Sequence, residues 1–156
     1  MSSKIETAWH RQIHQKMNRP FFRISSRVLN KPPVCRVQTY GSFRPAIKQG
    51  RTAVLAYTRP MALQQLRHYD SHENLYESEW ASVLDGVLFS EAHQLGGIEL
   101  EHDNAAVIMI LKDRRVPTQE YVKFYYNEIL RAADNLDWFA IRWIPHEINH
   151  ADKLLH

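Results

Sequence analysis

Ile5, Trp9, Ile13 and Met17 recur every four residues behind Ser3 and Glu6. That spacing predicts an amphipathic helix, opened by a capping box and closed before Pro20. The period then drops to two. Phe22, Ile24, Ser26 and Val28 alternate with Arg23, Ser25 and Arg27, which predicts a strand with a basic outer face. After the Lys31-Pro32-Pro33 break, residues 34–40 alternate again, with Cys35 and Val37 on one face and Arg36, Gln38 and Tyr40 on the other. Residues 41–50 read as a loop of basic and turn residues, and residues 52–58 as a more apolar and more central strand.

Pro60 opens a predicted helix to about Tyr69. Asp70-Ser71-His72-Glu73 reads as a second capping box, followed by a core-facing helical stripe of Tyr76, Trp80, Val83 and Val87 that Gly96-Gly97 stops. Ile98 and Leu100 alternate with Glu99 and Glu101, and the turn His102-Asp103-Asn104 leads into the apolar run 105–111, which predicts a hairpin. Thr118 caps a helix to about Asn135, with Val122, Tyr125, Ile129 and Ala133 on one face. Residues 138–144 form a last strand, and Pro145 starts a short final helix.

Strand groups with short connections, separated by helices, predict an α+β fold. The expectation is a single domain over residues 1–156, a mainly antiparallel sheet of about five to six strands with helices packed on it. No internal repeat or low-complexity linker interrupts it. A chain of 156 residues buries roughly two-thirds of the surface its unfolded form exposes, enough for one core. The apolar share of 44% and charged share of 24% fit a soluble globular protein, and no run approaches the ~20 apolar residues of a membrane span. The N-terminus lacks the apolar core of a secretory signal. Its Arg-rich, acid-poor start resembles a mitochondrial presequence, but the basic excess continues through Arg36, Arg44, Lys48, Arg51 and Arg59, which a presequence does not explain. With one cysteine, Cys35, no intrachain disulfide can form, so a reducing, cytoplasmic setting is expected.

Charge changes the picture most. Residues 1–60 hold twelve of the twenty Lys and Arg but one acidic residue, a net +11; residues 61–156 carry eight basic and sixteen acidic side chains, a net −8. Such asymmetry speaks to partners rather than fold. The basic half contains Arg19, Arg23, Arg27, Lys31, Arg36, Arg44, Lys48 and Arg51, interleaved with Gln38, Tyr40 and Phe43. Arg grips phosphate with a planar fork, and aromatic rings stack on bases, the combination used for single strands and RNA. These eleven residues predict a nucleic-acid-binding surface on a small non-enzymatic protein, without cofactor, whose partner is single-stranded nucleic acid or RNA. A protein-binding inhibitor, immunity or assembly subunit is the alternative, since opposite charges on one chain also favour a protein partner or a homo-oligomer. A membrane partner is not expected.

The C-terminus offers a different chemistry. His146-Glu147-Ile148-Asn149-His150 matches H-E-x-x-H, which on a helix sets two zinc ligands on one face and a general base beside them. With His156 six residues after His150, this stretch resembles the metzincin zinc proteases. The resemblance implies His146, His150 and His156 as zinc ligands and Glu147 as base, hence a zinc-dependent hydrolase. It departs from that pattern at Lys153, where the family has a Gly, and a continuing helix would rotate His156 roughly 240° from His150. His10/His14 and His68/His72 repeat the spacing without the Glu. No phosphate-binding glycine loop or nucleophile-elbow motif is present.

Overall fold

The computed structural model describes residues 34–156. The helix and strand expected before Val34, and with them Arg19, Arg23, Arg27 and Lys31, lie outside the described residues. One sheet of five strands carries the rest: β1 (Val34–Arg44), β2 (Gln49–Ala56), β3 (Leu63–Tyr69), β4 (Gly97–His102) and β5 (Trp138–Trp143), in the order β3-β2-β1-β4-β5. β1, β2 and β3 form an antiparallel meander, while β4 runs parallel to β1 and β5 parallel to β4. The α+β class, with helices packed on a single sheet, is therefore as the pattern predicted.

Alternation decides which side of the sheet is covered. Val37, Thr39 and Gly41 of β1 stand opposite Ala56, Val54 and Thr52 of β2, and all six are buried. Over them lies α1 (Leu75–Ala92), buried at Trp80, Val83, Val87 and Phe89 among others. Fully removing each such side chain from water contributes roughly 1.5–3 kcal/mol. Helix and sheet meet closely because two glycines permit it. A Cβ on Gly86 would lie 2.4 Å from Thr39 Cγ2, and one on Gly41 would lie 2.4 Å from the Ser78 carbonyl oxygen. Buried serines do not frustrate the helix, since the hydroxyls of Ser82 and Ser90 donate to the carbonyls of Glu79 and Gly86 at 2.7 Å each. Asn74 caps α1, its Oδ1 accepting from Glu77 N at 2.8 Å, while Glu77 returns to Glu73 N at 2.7 Å. α3 (Glu120–Ala133) packs against α1, burying Val122, Tyr126 and Ile129.

Several elements depart from the periodicity. Residues 60–69 hold β3 rather than a helix; the i, i+3 pair Leu63 and Leu66 mimics a helical stripe, but every β3 residue has a partner on β2 and the ladder prevails. Residues 105–111 belong to α2 (Ala105–Asp113), not to a hairpin strand. A short apolar run fits either state. Here β1 and β5 already occupy both edges of β4, and the Asn104 side chain, accepting from Val107 N at 3.1 Å, starts a helix. The loop expected at 41–50 is shorter: β1 runs on to Arg44, a 3-10 turn spans Pro45–Ile47, and β2 begins at Gln49. The final helix is two 3-10 turns, His146–Ile148 and His150–Leu155, broken at an extended Asn149. The second turn packs on the uncovered face of β1 and β2, where Ala151 and Leu155 meet Ala53, Tyr40 and Leu55. Among the described residues no helix is long and apolar enough to cross a membrane.

Candidate active site

β1 and β4 pair from Val34↔Gly97 to Gln38↔Glu101; two residues further on come Tyr40 and Asp103. At that level the ladder ends and the strands part. Asp103 is held by its neighbours: its carbonyl accepts from Trp143 Nε1 at 3.0 Å, and preceding His102, fully buried, sets Nδ1 3.1 Å from both Thr39 Oγ1 and Thr39 O. From the helical side, the Gly41–Ser78 contact brings the next residue, Glu79, to the gap. From the open side, the last 3-10 turn brings Asp152. Three carboxylates from three separate elements thus converge on the Tyr40 ring. The phenol's pKa is raised by burial first, then by the charges of Asp152, Asp103 and Glu79 and by its hydrogen bond to Asp152, so Tyr40 stays a neutral donor.

The negative charge is partly answered by the chain itself. Burial, reinforced by the charge of Asp103, pushes Glu79 up to about 7, so this carboxyl exchanges its proton near neutrality. The Asn104 amide donates to Glu79 Oε2. Asn149, also buried, donates to Thr39 O at 2.9 Å and to Asp103 Oδ2 at 3.2 Å. His146 lies between two acids, with Nδ1 3.0 Å from Asp103 Oδ2 and Nε2 3.1 Å from Asp152 Oδ2. The hydrogen bond to Asp103 leads in raising its pKa, against a smaller effect of burial, with the charge of Asp152 next. His156 Nε2 stands 2.6 Å from Asp152 Oδ1. Both rings face Tyr40, at centroid distances of 5.7 and 6.1 Å.

The residues predicted from sequence are spread more widely. Arg36, Gln38 and Tyr40 do share one sheet face, but Arg36 and Gln38 are tied inward to the buried Glu101. Arg36 donates to it from Nε and Nη2 at 3.3 and 3.2 Å, and Gln38 at 2.9 Å; Arg142 donates from the other side. Burial alone would raise Glu101, and these hydrogen bonds together outweigh it and hold the carboxyl below its ordinary value. Phe43 is half-buried, and Arg44 and Lys48 are exposed on the β1–β2 hairpin. Arg51 stands in a cross-strand row with Ser42 and His68, on the same face and beyond Tyr40.

The zinc arrangement does not form. His150 turns to Tyr57, its Nδ1 3.1 Å from the hydroxyl, while His146 and His156 face carboxylates. Interruption at Asn149 is the reason, because it takes His146 and His150 off a common helical face. Glu147 is exposed. Among the described residues no three His, Cys, Asp or Glu side chains already stand in ligating geometry. Sequence reasoning missed Glu79, Asp103 and Asp152 as a group. Asp103 was legible only as a turn residue, and Asp152 carried no signal of its own.

This sheet order, with helices on one face and a gap between β1 and β4, is the RNase H-like architecture. The chain is similar to RNase H1 of the halophilic archaeon Halobacterium salinarum NRC-1, with a TM-score of 0.71 at 13% identity over 78% of this chain and 94% of that one. It is similar too to the N-terminal RNase H domain of a Mycobacterium tuberculosis protein (0.67, 15%, 79% and 91%). A third similar structure is LC11-RNase H1 in complex with an RNA/DNA hybrid (0.66, 13%, 77% and 92%). Residues 60–155, well over half of the chain, match the reverse transcriptase-like family, and the chain belongs to that family. No curated protein matches it. Membership of this family, on an RNase H-like fold, overturns the expectation of a non-enzymatic nucleic-acid binder. Neither the basic half nor any short motif could have revealed this, because the acids of the site are scattered over the chain from residue 79 to residue 152.

Proposed function

We propose that the chain hydrolyses phosphodiester bonds of the RNA strand in an RNA/DNA hybrid, with Glu79, Asp103 and Asp152 as its acidic site. The observation that carries this reading is the convergence of those three carboxylates where β1 and β4 part. The hybrid as substrate follows the partner of LC11-RNase H1. It takes the place of single-stranded nucleic acid in the first expectation.

The donor set fits a hard divalent cation. All three carboxylates offer oxygens, the ligands of Mg2+, and the mutual repulsion of Glu79 and Asp103 is what a bound cation relieves. Soft thiolate is absent, and the imidazoles are turned to acids, so Mg2+ or Mn2+ fits better than zinc. Asp103 and Asp152 would hold the ion, with Glu79 beside them. When bound, such an ion offsets phosphate charge and makes water a better nucleophile. The chain's own part is distinct. Glu79, beside Asp103, is placed to take a proton from water or return one to the leaving oxygen. Tyr40, a neutral phenol, donates towards a phosphate oxygen or holds Asp152 in place. Arg44, Lys48 and Arg51, with His68 beside Arg51, extend a cationic track from the site across the β1–β2 hairpin, placed to grip the backbone phosphates.

The test is strand-resolved. RNA labelled in a hybrid, alone, and in duplex RNA is incubated with the full chain and Mg2+ or Mn2+. Cleavage confined to RNA in the hybrid is expected, and Asp103→Asn should lower its rate by about a hundredfold or more, the loss of several kcal/mol of transition-state stabilisation. Equal cleavage by Asp103→Asn, or none of the hybrid by the native chain, would sink the reading.

A further inference from the structure

The carboxylates that the proposed function assigns to a cation are not open to one as they stand. His146 sits between Asp103 and Asp152 and touches the same oxygen type, Oδ2, on each, at 3.0 and 3.1 Å. An ion shared by two carboxylates needs an oxygen of each within about 2.0–2.1 Å of itself. An imidazole lying between the two oxygens holds them much further apart than that. We propose that His146 is a resident occupant of the Asp103–Asp152 pair, which a divalent cation must displace before the site can work. This rests on the acidic site as read above.

The surroundings are built for such an exchange. The His146 side chain is 55% exposed, so a rotation about its side-chain bonds carries the ring into solvent without disturbing the core. The backbone beneath it stays put: Pro145 fixes the entry to the turn, and Asn149 N donates to the His146 carbonyl at 3.0 Å. Asn149 itself holds Asp103 Oδ2 and Thr39 O, so Asp103 keeps its place when the ring leaves. His156 takes only the other oxygen of Asp152, and that contact leaves Oδ2 available. The ring thus answers part of the charge of the acid pair. The cost falls on affinity: a ligand whose competent state is populated one time in ten binds about tenfold more weakly.

Calorimetric titration of Mn2+ and of Mg2+ into the full chain tests this without reference to activity. His146→Ala and His146→Gln are compared with the native chain, and Asp103→Asn serves as the control for the ligand set. The expected result is an affinity about tenfold tighter in His146→Ala, intermediate or tighter in His146→Gln, and lost in Asp103→Asn. Melting temperatures without ion should stay close across the histidine variants, because the side chain is exposed. Unchanged or weaker affinity in both histidine variants, with binding still lost in Asp103→Asn, would overturn the role of His146 and leave the acidic site standing. Absence of ion binding in every variant would overturn both.

Discussion

Asp85 shows how a single buried charge is accommodated outside the site. It lies on α1, 3% exposed, and accepts hydrogen bonds from Thr52 Oγ1 at 2.6 Å and from the Tyr69 hydroxyl at 2.8 and 2.7 Å. Burial raises its pKa, and those hydroxyls, together with Arg67 and His72, offset only part of the rise. The folded chain therefore holds this proton more tightly than the unfolded one. The contribution to stability is greatest below the ordinary carboxylate range and declines as pH rises through the window between the unfolded and folded values. Denaturant titrations from about pH 4 to 7 should show that decline in the native chain and a flatter profile in Asp85→Asn. Identical slopes in the two would contradict the assignment. The site acids had no such local signature. Glu79 reads as the polar side of a helix, Asp103 as a turn and Asp152 as a surface charge. Only the tertiary fold, through Gly41, Asn149 and the parting of β1 from β4, makes them one group.

Elements were legible where the pattern had a clear period or clear bounds. β1, β4 and β5 follow from alternation or a bounded apolar run, and α1 from its stripe of Tyr76, Trp80, Val83 and Val87. β3 and α2 were not, for related reasons. β3 is the edge of the sheet, with Leu66 47% exposed, so its pattern is diluted. α2 is so apolar that its short run carries no period. The parallel pairing of β4 with β1 was also beyond reach, since it joins strands 63 residues apart in register. That pairing sets the site, and the seat of α1 on β1 completes it. Gly41→Ala is expected to force α1 outward at Ser78 and carry Glu79 away from Asp103. Overpacking of this kind costs about 1–3 kcal/mol. Chemical denaturation would give the loss of stability, and hybrid cleavage should fall in parallel. A variant of native stability and native rate would show that the close approach does not position Glu79.

At the scale of the molecule, the two halves distinguished by charge have different tasks in this account. The proposed phosphate contacts fall on Arg44, Lys48 and Arg51 of the β1–β2 hairpin; Arg36 and Gln38 serve the Glu101 network instead. The acidic half supplies all three site carboxylates. A binding module and a nuclease differ in one respect that can be measured cleanly, whether an acid can be neutralised without loss of binding. Asp152→Asn is the sharpest choice, because it alters a side chain 20% exposed on the last turn and belongs to neither the sheet, the helices nor the basic hairpin. The measurement is fluorescence anisotropy of a labelled hybrid without divalent ion, followed by cleavage of the same hybrid once the ion is added. The account predicts hybrid affinity within a few-fold of the native chain and cleavage lower by about a hundredfold or more. Native cleavage by Asp152→Asn would contradict it.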